Sequence, residues 1–255
     1  MKVVILAGGL GSRLIEKTNI IPKPMVEIGT KPIIWHIMKY FSHYGHNEFI
    51  ICLGYKGEII KDYFTSYYSN NSDLTLDLGT NNYEMHNQHN ENWKISLIDT
   101  GEETLTGARI AKIKKYTEGE RFFLTYGDGL SNIDVNILLQ NHIDSNKKCT
   151  VSAVKPAGRF GVIKFLDNEV SFSEKNSKDV DWVNGGYFVC EQNIFEYINE
   201  KDNVMWERSP MESLAKDKQL NAYKHNGFWK AMDTLKDQNE LNKLWFDNNA
   251  KWKIW

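Results

Sequence analysis

Four charged side chains stand where chemistry on phosphates could be done: Arg13, Lys23, Asp128 and Asp233. Arg13 closes the run Gly8-Gly9-Leu10-Gly11-Ser12-Arg13, which follows directly on the apolar stretch Val3-Val4-Ile5-Leu6-Ala7. Glycines at a strand end let the backbone come close to an anion, and successive N–H groups there can cradle phosphate oxygens. The spacing is neither the G-x-G-x-x-G of dinucleotide folds nor the G-x-x-x-x-G-K-S/T of a P-loop, so both readings lose ground. A glycine cluster alone is equally a tight turn. Arg13 and Lys23 tilt the balance towards phosphate, because open parallel sheets bind ligands beyond their carboxyl ends.

Asp128 sits in Tyr126-Gly127-Asp128-Gly129, at the end of another apolar run. A carboxylate there suits a hard divalent cation, since Mg²⁺ is usually held by one or two carboxylates plus substrate phosphates. Standing alone it would read equally well as an Asp-Gly turn. Asp233 is a candidate second carboxylate, although by itself it reads as a helix-start residue. Glu174-Lys175 and Asn184-Gly185-Gly186 form a third group: a lysine for a second phosphate, and an amide for sugar hydroxyls. Their plain alternatives are a surface ion pair and a turn.

The background composition excludes several classes. With 31 basic and 33 acidic side chains the formal charge is -2, which argues against a nucleic-acid surface. Cys52, Cys149 and Cys190 lie far apart inside apolar runs, a poor framework for disulfides or metal. Buried thiols in a reducing compartment and the lack of any 18-residue apolar run predict a cytoplasmic protein with no membrane partner. His86 and His89 lack a carboxylate or cysteine at ligand spacing, and no G-x-S-x-G elbow occurs. The tryptophans are core or interface anchors by default.

The elements that must position these residues alternate. A buried strand over Lys2–Ala7 leads into the glycine loop, and Pro22 and Pro24 keep the stretch around Lys23 extended. Thr30 is expected to cap a helix with Pro32 in its first turn and Ile33, Ile34, Ile37, Met38 and Phe41 on its apolar face. A strand at Phe49–Leu53 and a helix carrying Ile59, Ile60, Tyr63, Phe64 and Tyr67 follow. A strand at Arg121–Thr125, a helix at Val135–His142 and a strand at Thr150–Val154 continue the rhythm of a mainly parallel α/β sheet. Two regions break it. The polar segment 70–92 reads as a loop or hairpin that serves as a lid or a subunit contact. Short strand-like pieces at Val162–Phe165, Val170–Ser173 and Tyr187–Cys190 make the sheet mixed on one side. Thr234 and Asp237 form a capping-box pair before a last helix. At about 150 residues per domain, 255 residues allow one or two. With no low-complexity linker and no internal repeat, residues 1–255 read as one domain with the 70–92 excursion.

Taken together, Leu6-Ala7-Gly8-Gly9-Leu10-Gly11-Ser12-Arg13 and Pro22-Lys23-Pro24-Met25-Val26 resemble the signature of the sugar-phosphate nucleotidyltransferases. Further motifs narrow the resemblance to the branch that pairs CTP with glucose 1-phosphate. Among them are Gly54-Tyr55-Lys56-Gly57, Asp99-Thr100-Gly101, Gly158-Arg159-Phe160-Gly161, Gly227-Phe228-Trp229, Met232-Asp233-Thr234 and Trp252-Lys253-Ile254-Trp255. The resemblance runs essentially end to end. It implies a three-layer α/β/α nucleotide-diphospho-sugar transferase fold, Rossmann-like with a mixed, mainly parallel sheet, and Mg²⁺ as cofactor. The implied partners are CTP and a phosphorylated small-molecule acceptor, with assembly into a homo-oligomer.

In residue terms, the resemblance implies that Leu6, Ala7, Gly8, Gly9, Gly11 and Ser12 wrap the nucleotide, together with Thr100, Gly101, Thr106 and Arg109. Arg13, Lys23 and Asp128 take the catalytic roles, and Asp128 and Asp233 hold Mg²⁺. Tyr126, Gly127, Glu174, Lys175, Asn184, Gly185, Gly186 and Trp229 line the sugar-phosphate side. The sequence departs at Asn176, where the family carries proline after its Glu-Lys pair. The alternatives are a different phosphorylated acceptor, UTP or dTTP in place of CTP, and a non-catalytic nucleotide sensor. A sensor could lose the Mg²⁺ carboxylates cheaply, yet both are present. The residue types suit the reaction: a phosphate oxygen needs no strong base, so the task is to bring two anions together and stabilise the departing charge.

Overall fold

This computed structural model describes residues 1–86, 91–155, 162–166, 169–173, 182–199 and 201–255. Seven strands make the central sheet: β1 (Val3–Leu6), β2 (Glu48–Leu53), β3 (Lys94–Asp99), β4 (Phe122–Tyr126), β5 (Cys149–Val154), β6 (Val183–Cys190) and β7 (Leu220–His225). Their lateral order is β7-β5-β6-β4-β1-β2-β3. Strand β1 runs parallel to β2 and β4, and the pairs β2–β3 and β5–β7 are parallel as well. Only β6 is reversed, antiparallel to both β4 and β5. The sheet is therefore mixed but mainly parallel, as the alternation of elements predicts.

The helices that matter here are α1 (Ile33–His43), α2 (Gly57–Thr65), α3 (Thr106–Lys112), α4 (Val135–Ser145), α5 (Ser209–Lys216) and α6 (Leu235–Phe246). Side chains alternate across a strand, so a strand covered on both faces reads as an unbroken apolar run. Val3, Ile5, Phe49, Ile51 and Phe123 join one core with Ile37 and Phe41 of α1, Leu138 of α4 and Leu241 of α6. Val4, Leu6, Ile50, Cys52, Phe122 and Leu124 join the other, with Ile110 of α3 and Leu214 of α5. Two cores on opposite faces of one sheet make the three layers. The three cysteines are buried free thiols, and Cys149 faces Cys190 across β5–β6 with 3.9 Å between sulfurs.

Several local expectations need correction. Thr30 does not cap α1. Residues Glu27–Ile28 and Lys31–Pro32 form a two-residue antiparallel ribbon, and the Ile33 N–H donates to the Val26 carbonyl. The helix start is thus satisfied by backbone, and Pro32 stands at its cap with no side-chain bond. Strands β3 and β7 and helices α3 and α5 were not anticipated by sequence pattern. β3 is an edge strand, half-buried and without a continuous apolar run, which weakens its signal. The 70–92 segment contains a hairpin, Asp73–Asp77 paired with Asn82–His86, whose Leu76, Leu78 and Tyr83 are exposed. His89 lies outside the described residues.

The C-terminal segment is held by aromatic packing. Trp252 is fully buried and stacks on Phe228 and Trp245 at 5.5 and 6.5 Å between ring centroids. Its indole N–H donates to His36 Nδ1 at 3.4 Å, and His36 Nε2 donates to the Ile28 carbonyl at 2.8 Å. An imidazole bonded in this way is neutral, and burial pushes it down to about 4 from its ordinary 6.5. Burial does the same to His46, also to about 4. The unfolded chain takes up these protons below about pH 6.5 while the folded chain does not, so stability is complete above that pH and falls towards pH 4. For His36 alone the loss approaches about 3 kcal/mol at the acid limit. Thermal unfolding followed by circular dichroism is expected to show a lower midpoint at pH 5 than at pH 7.5, with a shallower decline in His36→Gln. Equal slopes in the two proteins would remove His36 from this account.

Candidate active site

The carboxyl ends of β1 and β4 open onto one cleft of about 280 Å³. Leu6, Ala7, Gly8, Gly9 and Gly11 line one wall, Tyr126, Gly127 and Asp128 another, with Lys23 and Pro24 between them. Thr104, Leu105, Thr106 and Met205 complete the opposite side. Of the last four, Met205 belongs to no sequence motif.

Lys23 and Asp128 meet here because of two tight turns. Lys23 begins a 3-10 turn just after extended Pro22, and the turn buries its stem. Asp128 lies between β4 and the short strand Gly129–Ser131, which pairs antiparallel with Trp229–Ala231. The Met232 N–H then donates to the Asp128 carbonyl at 2.9 Å, which brings the next residue, Asp233, alongside. The Thr234 capping box that starts α6 holds Asp233 in place, since Asp237 also accepts from the Asp233 N–H. A pairing across about a hundred residues therefore makes one site of two carboxylates that local pattern left unconnected.

Between them stands the ammonium of Lys23, 2.6 Å from Asp128 Oδ2 and 2.6 Å from Asp233 Oδ1. Arg13, exposed on its single 3-10 turn Ser12–Leu14, reaches the other Asp233 oxygen at 3.2 Å. Burial pulls the Lys23 pKa down, but the two carboxylates and their hydrogen bonds outweigh it and leave it above the ordinary lysine value. Among the described residues no group of three or more histidine, cysteine, aspartate or glutamate side chains could hold a metal. The donor set that does exist, two carboxylates gathered around one positive charge, fits Mg²⁺ only if phosphates and water complete its shell.

Arg109 is built into the wall of the cleft. Its guanidinium is buried and donates to the carbonyls of Gly8 at 2.8 Å, Leu53 at 2.9 Å, Gly101 at 2.7 Å and Glu102 at 3.0 Å, and to the Thr100 hydroxyl at 2.7 Å. Thr100 and Gly101 therefore sit behind the cleft as acceptors for Arg109. Gly8 is required by the same contact: a Cβ there would lie 2.3 Å from Arg109 Nη1.

Beside β4, β6 passes through two more residues than β5 between the pairs Val151–Phe188 and Ala153–Asn184. This bulge lifts Asn184-Gly185-Gly186 towards the cleft end of the sheet. Gly186 has φ +76°, and a side chain there would meet the Tyr126 ring at 2.6 Å. Trp229 donates its indole N–H to the Gly185 carbonyl at 2.6 Å, tying the bulge to the Asp128 ribbon. Glu174, Lys175 and Asn176 lie outside the described residues. Glu207, which no sequence motif singled out, accepts from both Tyr126 and Thr106.

The profile of the family described as Nucleotidyl transferase matches residues 2–247. A glucose-1-phosphate cytidylyltransferase of Salmonella typhimurium is 45% identical over 257 residues, covering 100% of both chains. A probable glucose-1-phosphate cytidylyltransferase of Bacillus subtilis is 46% identical over 256 residues with the same coverage. Among solved structures, HddC from Yersinia pseudotuberculosis superposes with a TM-score of 0.77 at 24% identity, covering 96% of this chain and 99% of that one. The last likeness concerns the fold, which is that of the nucleotide-diphospho-sugar transferases. No helix among the described residues is long and apolar enough to cross a membrane. On the match along nearly its whole length and the full-length relatives, the chain belongs to the nucleotidyl transferase family.

Proposed function

We propose that this nucleotidyltransferase moves the cytidylyl group of CTP onto glucose 1-phosphate, forming CDP-glucose and releasing pyrophosphate. The observation that carries the substrate pair is the 45% identity, over the full length of both chains, to the Salmonella typhimurium glucose-1-phosphate cytidylyltransferase. An oxygen of the acceptor phosphate attacks the α-phosphorus, the bond to the β-phosphate breaks, and its electron pair leaves on pyrophosphate. The attacking oxygen is already anionic, so no general base is required.

The chain's own residues bring two anions together and hold them in line. The glycine loop at Gly8, Gly9 and Gly11, with Ser12 and Arg13, binds the triphosphate, and buried Arg109 places a positive charge behind it. Lys23 serves as the catalytic cation. Its raised pKa keeps it protonated, and its pairing with Asp128 and Asp233 aims it into the cleft. The two carboxylates would hold Mg²⁺, which when bound neutralises triphosphate and pyrophosphate charge. Tyr126, Gly127, Asn184, Gly185, Gly186 and Trp229 receive the sugar phosphate, with Glu174 and Lys175 assigned to the same side. The shared sheet under both cores supports reading residues 1–255 as one domain. Exposed Leu76, Leu78 and Tyr83 support a homo-oligomer with the hairpin as a contact, and three buried free thiols suit a reducing cytoplasm.

A matrix of four nucleoside triphosphates against phosphorylated acceptors, scored by pyrophosphate release, tests the substrate pair. Release with CTP and glucose 1-phosphate, abolished by chelating Mg²⁺, is expected. Activity confined to another acceptor or another base would replace the substrate and keep the site, whereas CTP binding with no release anywhere would make the protein a sensor. Lys23→Ala and Asp128→Ala are each expected to lower kcat by about 10²-fold or more, in keeping with loss of a charge contact to the transition state. A folded Asp128→Ala protein with unchanged kcat would refute that role.

A further inference from the structure

We propose that Glu207 is a positioning residue for the transfer, tying the acceptor-side strand end at Tyr126 and Asn184 to the nucleotide-side helix at Thr106. The proposal rests on the assignment of those two sides under the proposed function. Glu207 is not among the residues that line the cleft.

Its geometry is that of a two-handed acceptor. Oε1 accepts the Tyr126 hydroxyl at 2.5 Å and Oε2 accepts the Thr106 hydroxyl at 2.7 Å, across 81 and 101 residues of sequence. An ionised carboxylate only accepts, so both hydroxyls must donate to it. The consequences propagate in both directions. With its proton committed, the Tyr126 oxygen can only accept, and it does so from Asn184 Nδ2 at 3.2 Å. That choice sets the orientation of the Asn184 amide, whose Oδ1 accepts the Gly186 N–H at 2.8 Å on the bulge.

Towards the nucleotide, Thr106 is the first residue of α3, and its oxygen accepts the Trp206 N–H at 2.8 Å. The carbonyl of Val204 accepts from the N–H groups of Gly107 and Ala108, so the segment carrying Glu207 is docked on the start of α3. One helical turn later α3 carries Arg109, which supports the glycine loop. A single carboxylate thus links the two walls between which the reacting phosphates must align. In-line transfer is sensitive to displacements well below an ångström, so a tie of this kind sets relative placement without touching either substrate.

The test is a set of steady-state measurements on Tyr126→Phe, Thr106→Val, Glu207→Ala, Glu207→Gln and the double variant Glu207→Ala/Tyr126→Phe. Tyr126→Phe is expected to raise the acceptor KM several-fold and Thr106→Val the triphosphate KM, each leaving the other KM within about twofold. Glu207→Ala is expected to raise both by about tenfold, and adding Tyr126→Phe to it to cost little more, as for residues acting through one network. Glu207→Gln keeps an oxygen for Tyr126 but presents N–H to Thr106, so it should restore the acceptor KM and not the triphosphate KM. It also serves as the readout where Glu207→Ala fails to fold. Fully additive losses, or a Glu207→Ala protein of lowered thermal stability with both KM values unchanged, would overturn the tie. Inactivity of the wild type with CTP and glucose 1-phosphate would count instead against the proposed substrates. The same cycle, run with the pair the wild type does use, would then decide the role of Glu207.

Discussion

The site depends on one buried cation that no ligand has to bring. Arg109 lies beneath the ends of β1, β2 and β3, and its guanidinium is satisfied by four carbonyls and a threonine hydroxyl. Desolvation lowers its pKa, but a guanidinium remains charged throughout the ordinary pH range. Burying a charge in this way is costly, and a full set of hydrogen bonds is what makes it tolerable. Carbonyl dipoles hold the guanidinium without cancelling its unit charge. The carboxyl ends of three parallel strands are thereby drawn to one point, and a positive potential is left just behind the glycine loop.

Lys23 is handled in the opposite way. Its ammonium and the Arg13 guanidinium are matched by two carboxylates, so the centre of the cleft is close to electrically balanced. An anion entering the cleft meets partners that are already in place. This division explains how a chain of formal charge -2 can handle two highly anionic molecules. Positive field is supplied locally by Arg109, Lys23, Arg13 and backbone N–H groups, and a basic surface is unnecessary. Near-neutral charge excludes a broad polyanion surface and leaves a phosphate pocket entirely possible.

Much of this was legible in the sequence. β1, β2 and β4 were readable because strands buried on both faces become continuous apolar runs, and α1 because its apolar residues recur at helical spacing. The capping box of Thr234 and Asp237 is a local device and could be read locally. Edge strand β3 and outer strand β7 could not, since half-buried strands lose the unbroken run without acquiring a clean alternation. The cap expected at Thr30 failed because the ribbon before the helix lets the Ile33 N–H donate back to the Val26 carbonyl. The hydrogen bonds that Thr100 and Gly101 accept from Arg109 could not be read locally either, since they depend on a guanidinium entering from another element.

By itself, then, the sequence determined residue chemistry and local geometry: a glycine loop after a buried strand, two cations near it, and two aspartates at turns. Those follow from φ/ψ preference, strand burial and charge, which act over a few residues. Only the tertiary structure decided that Asp128 and Asp233 share one lysine, through the pairing of Gly129–Ser131 with Trp229–Ala231. It alone decided that Glu207 joins Tyr126 to Thr106. The reason is physical. Hydrogen bonds and ion pairs are specified by distances of about 3 Å, and across a hundred residues such distances are set by how the sheet and its layers pack.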